Sequence, residues 1–114
     1  MDRTYERAEW VGTLKAFTDR NAGRVTILEE DGADFGAQHS EAGLPLRGIA
    51  FDPRDERVEI MLGEQSQVEA HLTRTIERPE RIDVTGDERG RDHALRIVHD
   101  GGQTVLRFEV AKHA

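Results

Sequence analysis

Apolar positions recur with two different periods along this chain, and the change of period divides it. From Glu6 to about Asn21, Trp10, Val11, Leu14 and Phe17 fall at i, i+1, i+4 and i+7, the stripe of an amphipathic helix. Arg7, Glu9, Lys15, Asp19 and Arg20 occupy the remaining positions. Glu6 and Glu9 in the first turn and Arg20 in the last complement the helix dipole, and Gly23 is a natural left-handed stop. Gly12 costs a helix interior about 1 kcal/mol against alanine, which points to another element passing close by. The spacing predicts a helix over about 6–22 and a β-rich remainder over 24–110.

Beyond Gly23 the period falls to two. Arg24–Glu29 reads as a strand with Val25 and Ile27 turned inward, followed by a turn or bulge at Glu30–Asp34. Phe35–His39 is a short strand and Ser40–Gly43 a loop. The densest patterning runs from Gly43 to Gly63: two strands joined by Asp52-Pro53-Arg54-Asp55-Glu56. There Pro53 fixes φ, Asp side chains can bond their own backbone, and Asp52 is pushed toward extended geometry. Val58, Ile60 and Leu62 alternate with Glu59 and Met61, and Gly48 marks a bulge or bend in the first arm. Gln67–Ile76 alternates again, with Val68, Ala70 and Leu72 on one side and His71 opposite beside Glu69 and Thr73. Pro79 breaks this strand, Arg81–Val84 resumes, and Gly86–Gly90 is a charged loop. His93–His99 and Gln103–Val110 form a last hairpin through Asp100-Gly101-Gly102.

The expected fold is α+β in a single domain spanning residues 1–114: an N-terminal helix packed on a strongly curved antiparallel sheet or small barrel of seven or eight strands, with a C-terminal β-hairpin. Its core draws on Trp10, Leu14 and Phe17 of the helix and Val25 and Ile27 of the first strand. Leu46, Ile49, Phe51, Val58, Ile60 and Leu62 of the central hairpin join them, with Leu72, Ile82, Val84, Ile97, Leu106 and Phe108 farther on.

Composition narrows the function classes. Hydrophobic residues make up 36% of the chain and charged ones 34%, so the core is small, and with aromatics at 5% the few rings carry much of its volume. The net charge of −7, from 16 basic and 23 acidic residues, repels a phosphate backbone, and no basic run opposes that field. Without Cys, disulfides, thiolate metal sites and thiol nucleophiles are excluded. No apolar leader follows Met1 and no window approaches about 18 apolar residues, so a cytoplasmic protein without a membrane segment is expected.

Several stretches resemble a family of small bacterial proteins of unknown function. They are Glu9-Trp10, the run Gly43–Asp52, the strand end Ile60–Gly63, and His71-Leu72-Thr73 with Ile76 and Pro79. The resemblance covers most of the chain and implies no catalytic or binding residues. The order of a helix, then hairpin-linked strands with a Gly bend in the second, is also similar to Sm-like and SH3-like small barrels. That resemblance implies rings and RNA binding, which the acidic charge opposes.

Candidate chemistry is sparse. Of the five His, no two have the i, i+4 spacing of a helical zinc site, and His93 and His99 on one strand lie about 20 Å apart. No metal site and no cofactor are expected. Asp34-Phe35-Gly36 repeats a kinase tripeptide without the phosphate loop, lysine or catalytic aspartate that give it meaning. Asp52, Asp55 and Glu56 miss the spacing of a calcium loop. Three residues remain as a binding set: His71, Arg74 and Arg47, a histidine and two guanidinium groups on neighbouring strands that suit a small anionic ligand. The leading expectation is a non-catalytic interaction or assembly domain, its strand edges open to a protein partner or a second copy. The alternative is an anionic-ligand binder or minor enzyme around His71; nucleic-acid binding stands third.

Overall fold

The computed structural model describes residues 2–32, 39–64 and 71–109. Among these residues are one α-helix, α1 (Trp10–Asn21), entered through a 3-10 turn at Arg7–Glu9, and eight strands. The strands are β1 (Asp2–Tyr5), β2 (Val25–Gly32), β3 (His39–Asp52), β4 (Arg57–Leu62), β5 (Leu72–Glu77), β6 (Pro79–Gly86), β7 (Asp92–His99) and β8 (Gly102–Phe108). All pair antiparallel in one sheet of order β1-β6-β7-β8-β2-β3-β4-β5.

Chain connectivity forces that sheet to curl. The ends of β5 and β6 are separated by Arg78 alone, yet the two strands stand eighth and second in the order. Six strand spacings in a flat sheet would put them about 29 Å apart, whereas a single intervening residue spans about 7 Å. The 14-residue strand β3 supplies the fold line: up to Pro45 it pairs with β2, and from Leu46 it pairs with β4. A main leaf, from β1 to the first half of β3, therefore faces a smaller leaf formed by the second half of β3 with β4 and β5. Their inner sides meet at Glu30 of β2 and Arg74 of β5, an ion pair at 3.3 Å. The curl stops short of a barrel: among the described residues β1 pairs only with β6 and β5 only with β4, so the sheet stays open.

The helix fills the mouth of the curl. Trp10, Leu14, Phe17 and Asn21 form its buried stripe. The Trp10 ring meets Phe51 of the small leaf edge-on at 5.1 Å, and the Phe17 ring stacks on Phe108 of the main leaf at 5.7 Å. Its end is tied to β3 where Gly23, at φ +88°, donates to the Leu46 carbonyl. Val11, next to Trp10 in the apolar stripe, points to solvent. Among the described residues a Cβ at Gly12 would meet nothing within 4 Å, so no described element approaches there and the glycine is a local cost without a packing return.

Several other details depart from expectation. β2 is turned by one residue: Thr26 and Leu28 face inward, Ile27 is half-buried on the outer side, and Val25 is 39% exposed. The run Val-Thr-Ile-Leu permits either phase, since a one-residue slip exchanges faces. Thr26 is acceptable inside because its hydroxyl donates to the Leu44 carbonyl at 2.7 Å. Ser40–Gly43 is not a loop but part of β3; Gly43, at φ +95°, is the extra residue of a bulge between the pairs Thr26–Leu44 and Ile27–Ala42. The bulge expected at Gly48 is present, with Arg47 as the inserted residue. Leu72, the first residue of β5, is only half-buried, and Ile76 on the same strand takes the buried place. The expected strands over 35–38 and 67–70 lie outside the described residues. β1 was not anticipated from the sequence pattern; its four residues bury little and carry no apolar alternation.

One pair of strands approaches unusually closely. At the ends of β2 and β8, Gly32 and Gly102 are register partners, and a Cβ on Gly102 would collide with the Asp31 carbonyl. Only glycine fits that contact.

Candidate functional site

Three polar neighbourhoods stand out among the described residues. The first is the expected set. Arg47, extruded by its bulge, places Nη1 3.0 Å from Nδ1 and 2.8 Å from Nε2 of His71. His71 Nε2 also lies 2.9 Å from the Glu64 carbonyl, which accepts only from an N–H. A proton on Nε2 donates to Glu64 and leaves Nδ1 as the ring's acceptor, while Arg47 Nη1 stands close to both ring nitrogens and not along one lone pair. Arg74 is elsewhere, directed inward to Glu30. Two of the three residues thus come together and the third bridges the leaves; Glu69 lies outside the described residues.

The second neighbourhood is on the outer side of the main leaf. Asp83 of β6 is buried, and its carboxylate accepts from Thr4 Oγ1 at 2.6 Å, Arg81 Nε at 2.9 Å, and Arg96 Nε and Nη2 at 3.0 and 2.6 Å. Register alone assembles it, since Thr4, Asp83 and Arg96 stand opposite one another across β1, β6 and β7. Burial pushes the Asp83 carboxyl upward, but the hydrogen bonds from Thr4, Arg81 and Arg96 prevail and hold it below its ordinary value. Every acceptor position has a donor, which is the pattern of a structural clasp.

The third neighbourhood occupies the gap where the curl fails to close. An open groove of about 910 Å³ runs between the end of β1, with Tyr5, Glu6 and Arg7, and the corner of β5 and β6, with Arg78, Glu80 and Arg81. Trp10, Glu56 and Asp100 complete its wall. Two non-glycine residues here have left-handed backbones, Glu56 at φ +52° and Arg78 at φ +49°. Glu56 closes the turn between β3 and β4, where a Gly or Asn is the usual choice. They are joined to each other: the Arg78 N–H donates to the Glu56 carbonyl at 2.8 Å. The Glu56 side chain in turn accepts from Arg7 at 2.7 Å, and the Arg7 guanidinium lies over the rings of Trp10 and Phe51 at 5.6 and 5.4 Å. The packed aromatic core therefore supports, through one arginine, the strained turn on the rim.

The groove also borders a stretch of β6 that β1 does not cover. The last pair between β1 and β6 is Tyr5–Ile82, while β6 begins at Pro79, so residues 79–81 have no neighbouring strand on that side. The sequence held one part of this arrangement, the break at Pro79. It held no signal for the pairing of Glu56 with Arg78, which are 22 positions apart and meet only after the sheet has curled.

Among the described residues no helix is long and apolar enough to cross a membrane, and no cluster of three His, Asp or Glu is arranged to hold a metal ion. Comparison with curated proteins and with solved structures finds no match. The comparison with protein families does, over residues 1–114 without interruption, and on that match the chain belongs to DUF5335, a family of unknown function.

Proposed function

We propose that the protein is a non-catalytic interaction domain that holds an extended segment of a partner in the groove between the end of β1 and the β5–β6 corner. The observation that carries this reading is the coupled pair of left-handed residues, Glu56 and Arg78, on the rim of that groove. A non-glycine residue held in this region costs of order 1–3 kcal/mol and persists where its surroundings over-determine it, a condition typical of ligand clamps. The start of β6, which β1 does not reach, adds a second feature: a short strand margin beside the groove, headed by Pro79, which offers a carbonyl but no N–H.

Amide chemical shifts recorded while a pool of blocked random hexapeptides is titrated test the reading. Shifts confined to Tyr5–Arg7, Glu56 and Arg78–Arg81 are expected. No movement there at millimolar peptide overturns it.

A second reading, assembly of two copies through β5, is favoured by the unbroken register of that edge strand on β4, with Thr73 and Thr75 facing outward. Arg74, turned inward on the same strand, opposes it, since inward charges guard edges. Light scattering decides: a mass that doubles with concentration, and fails to do so in Thr75→Pro, supports pairing, and a constant monomer mass removes it.

A further inference from the structure

We infer that the groove takes a cationic segment, an extended peptide bearing lysine or arginine side chains. This rests on the reading of the groove as a peptide site and adds the chemistry of its occupant. The argument is one of charge left over. Seven charged side chains line the groove, and most of the positive ones are already spent. Arg7 is paired with Glu56 at 2.7 Å, and Arg81 with Asp83 at 2.9 Å on the outer face. Among the described residues neither Glu80 nor Asp100 has a cation within ion-pair distance, and Glu6 has none either; all three are exposed. Arg78 is, among the described residues, the one cation of the wall without a carboxylate partner. The unmatched charge is thus three negative against Arg78 and the one positive charge by which Arg81 and Arg96 together exceed Asp83, inside the field of a chain whose net charge is −7.

The geometry matches that charge to a strand. Side chains of a peptide laid along residues 79–81 of β6 would alternate toward and away from the floor. Glu80 lies beside the added strand, with Asp100 in the adjacent β7–β8 turn and Glu6 on the opposite bank. Lysine or arginine at alternate positions would meet these carboxylates, while the backbone occupies the free margin of β6. Acidic residues at the same places would meet Arg78 and the half-neutralised Arg81 in their favour, against three carboxylates.

The test compares three blocked hexapeptides, alternating lysine–valine, glutamate–valine and serine–valine, by amide shifts and calorimetry on the full chain. The lysine peptide is expected to bind in the groove, to weaken as salt rises from 20 to 300 mM on the screening scale of about 8–10 Å at physiological strength, and to prefer the groove over the other two. Each of Glu80→Gln and Asp100→Asn should weaken it about three-fold, the size of an exposed ion pair. Arg78→Gln should tighten it by a similar factor. Both carboxylates and Arg78 are solvent-exposed, so these variants leave the core intact. Equal or stronger binding of the glutamate or serine peptide in the groove overturns the cationic inference and leaves the groove reading standing. Absence of all three from the groove overturns both.

Discussion

Two clusters of charge lie side by side on β6 and share Arg81, yet they are built on opposite plans. Around Asp83 the buried carboxylate is fully answered: two arginines and a threonine hydroxyl close on it and on one another within 2.6–3.1 Å. Around Arg78 the backbone is strained and the surplus carboxylates of Glu80 and Asp100 face solvent. A network that satisfies itself has nothing to offer a ligand; one that does not is where binding free energy can be gained. The contrast separates structure from function within one strand, and substitutions on each side can break it.

The largest effect is expected beneath the groove. Trp10 is 2% exposed, packs on Phe51 and donates its indole N–H to the Tyr5 carbonyl at 3.0 Å, so it ties helix, small leaf and β1 together. Trp10→Ala should cost about 3–5 kcal/mol in urea unfolding. An unchanged midpoint would mean that the helix does not hold the leaves.

Next comes the satisfied cluster. Asp83→Asn keeps the shape but leaves two arginines without their counter-ion, a loss of about 2 kcal/mol at pH 7; their partial exposure keeps it near the low end for bonds to charge. The pH dependence has a definite sign. The folded carboxyl is depressed below its ordinary 3.8, so its contribution is complete above that value and disappears as pH falls through the folded one. The gap between wild type and Asp83→Asn should therefore be full at neutral pH and close in acid below 3.8. A gap that stays constant would show that Asp83 stabilises by packing and not by charge.

How much of this could be read from the chain follows the same division. The helix stripe, the central hairpin with its Asp52 turn and the last hairpin are local patterns, and they stand where period and turn chemistry put them. The Asp52 side chain does accept the N–H groups of Arg54 and Asp55. The phase of β2 was ambiguous because its buried Thr26 depends on a carbonyl 18 residues away, supplied by a bulge that looked like a loop. The Asp83 cluster rests on the pairing of β6 with both β1 and β7, and β1 carries no pattern to announce it. The groove is farther still from legibility. It is the gap of an unclosed sheet, and no residue in it is unusual until φ is known.

The strained side of the comparison yields a smaller effect of opposite sign. Arg78→Gly lets the corner adopt positive φ without a Cβ penalty of about 1–2 kcal/mol, partly offset by the added freedom of glycine in the unfolded chain. A net gain of about 1 kcal/mol in unfolding free energy is expected. It should come without disturbing the acid transition of Asp83, because the Arg78 side chain is no part of that cluster. A loss of stability instead would show that the Arg78 side chain makes a contribution larger than its strain.

Gly12→Ala sets the scale against which that gain is judged. Here a glycine leaves a helix that has open space around it and no need of positive φ, so the change acts on backbone freedom and helix propensity alone. About 0.5–1 kcal/mol of stabilisation is expected, read as a higher urea midpoint with the same slope. The two substitutions exchange glycine in opposite directions, and both should stabilise: one removes it where nothing requires it, the other supplies it where the backbone does. Their difference lies in ligand binding. Position 12 is remote from the groove and Gly12→Ala should leave hexapeptide affinity as it was, while Arg78→Gly removes a groove cation and frees the rim that Glu56 holds. If both variants gain stability and neither alters binding, the strain at the β5–β6 corner is a consequence of turning the chain in one residue, and the contrast between the two clusters is one of packing alone.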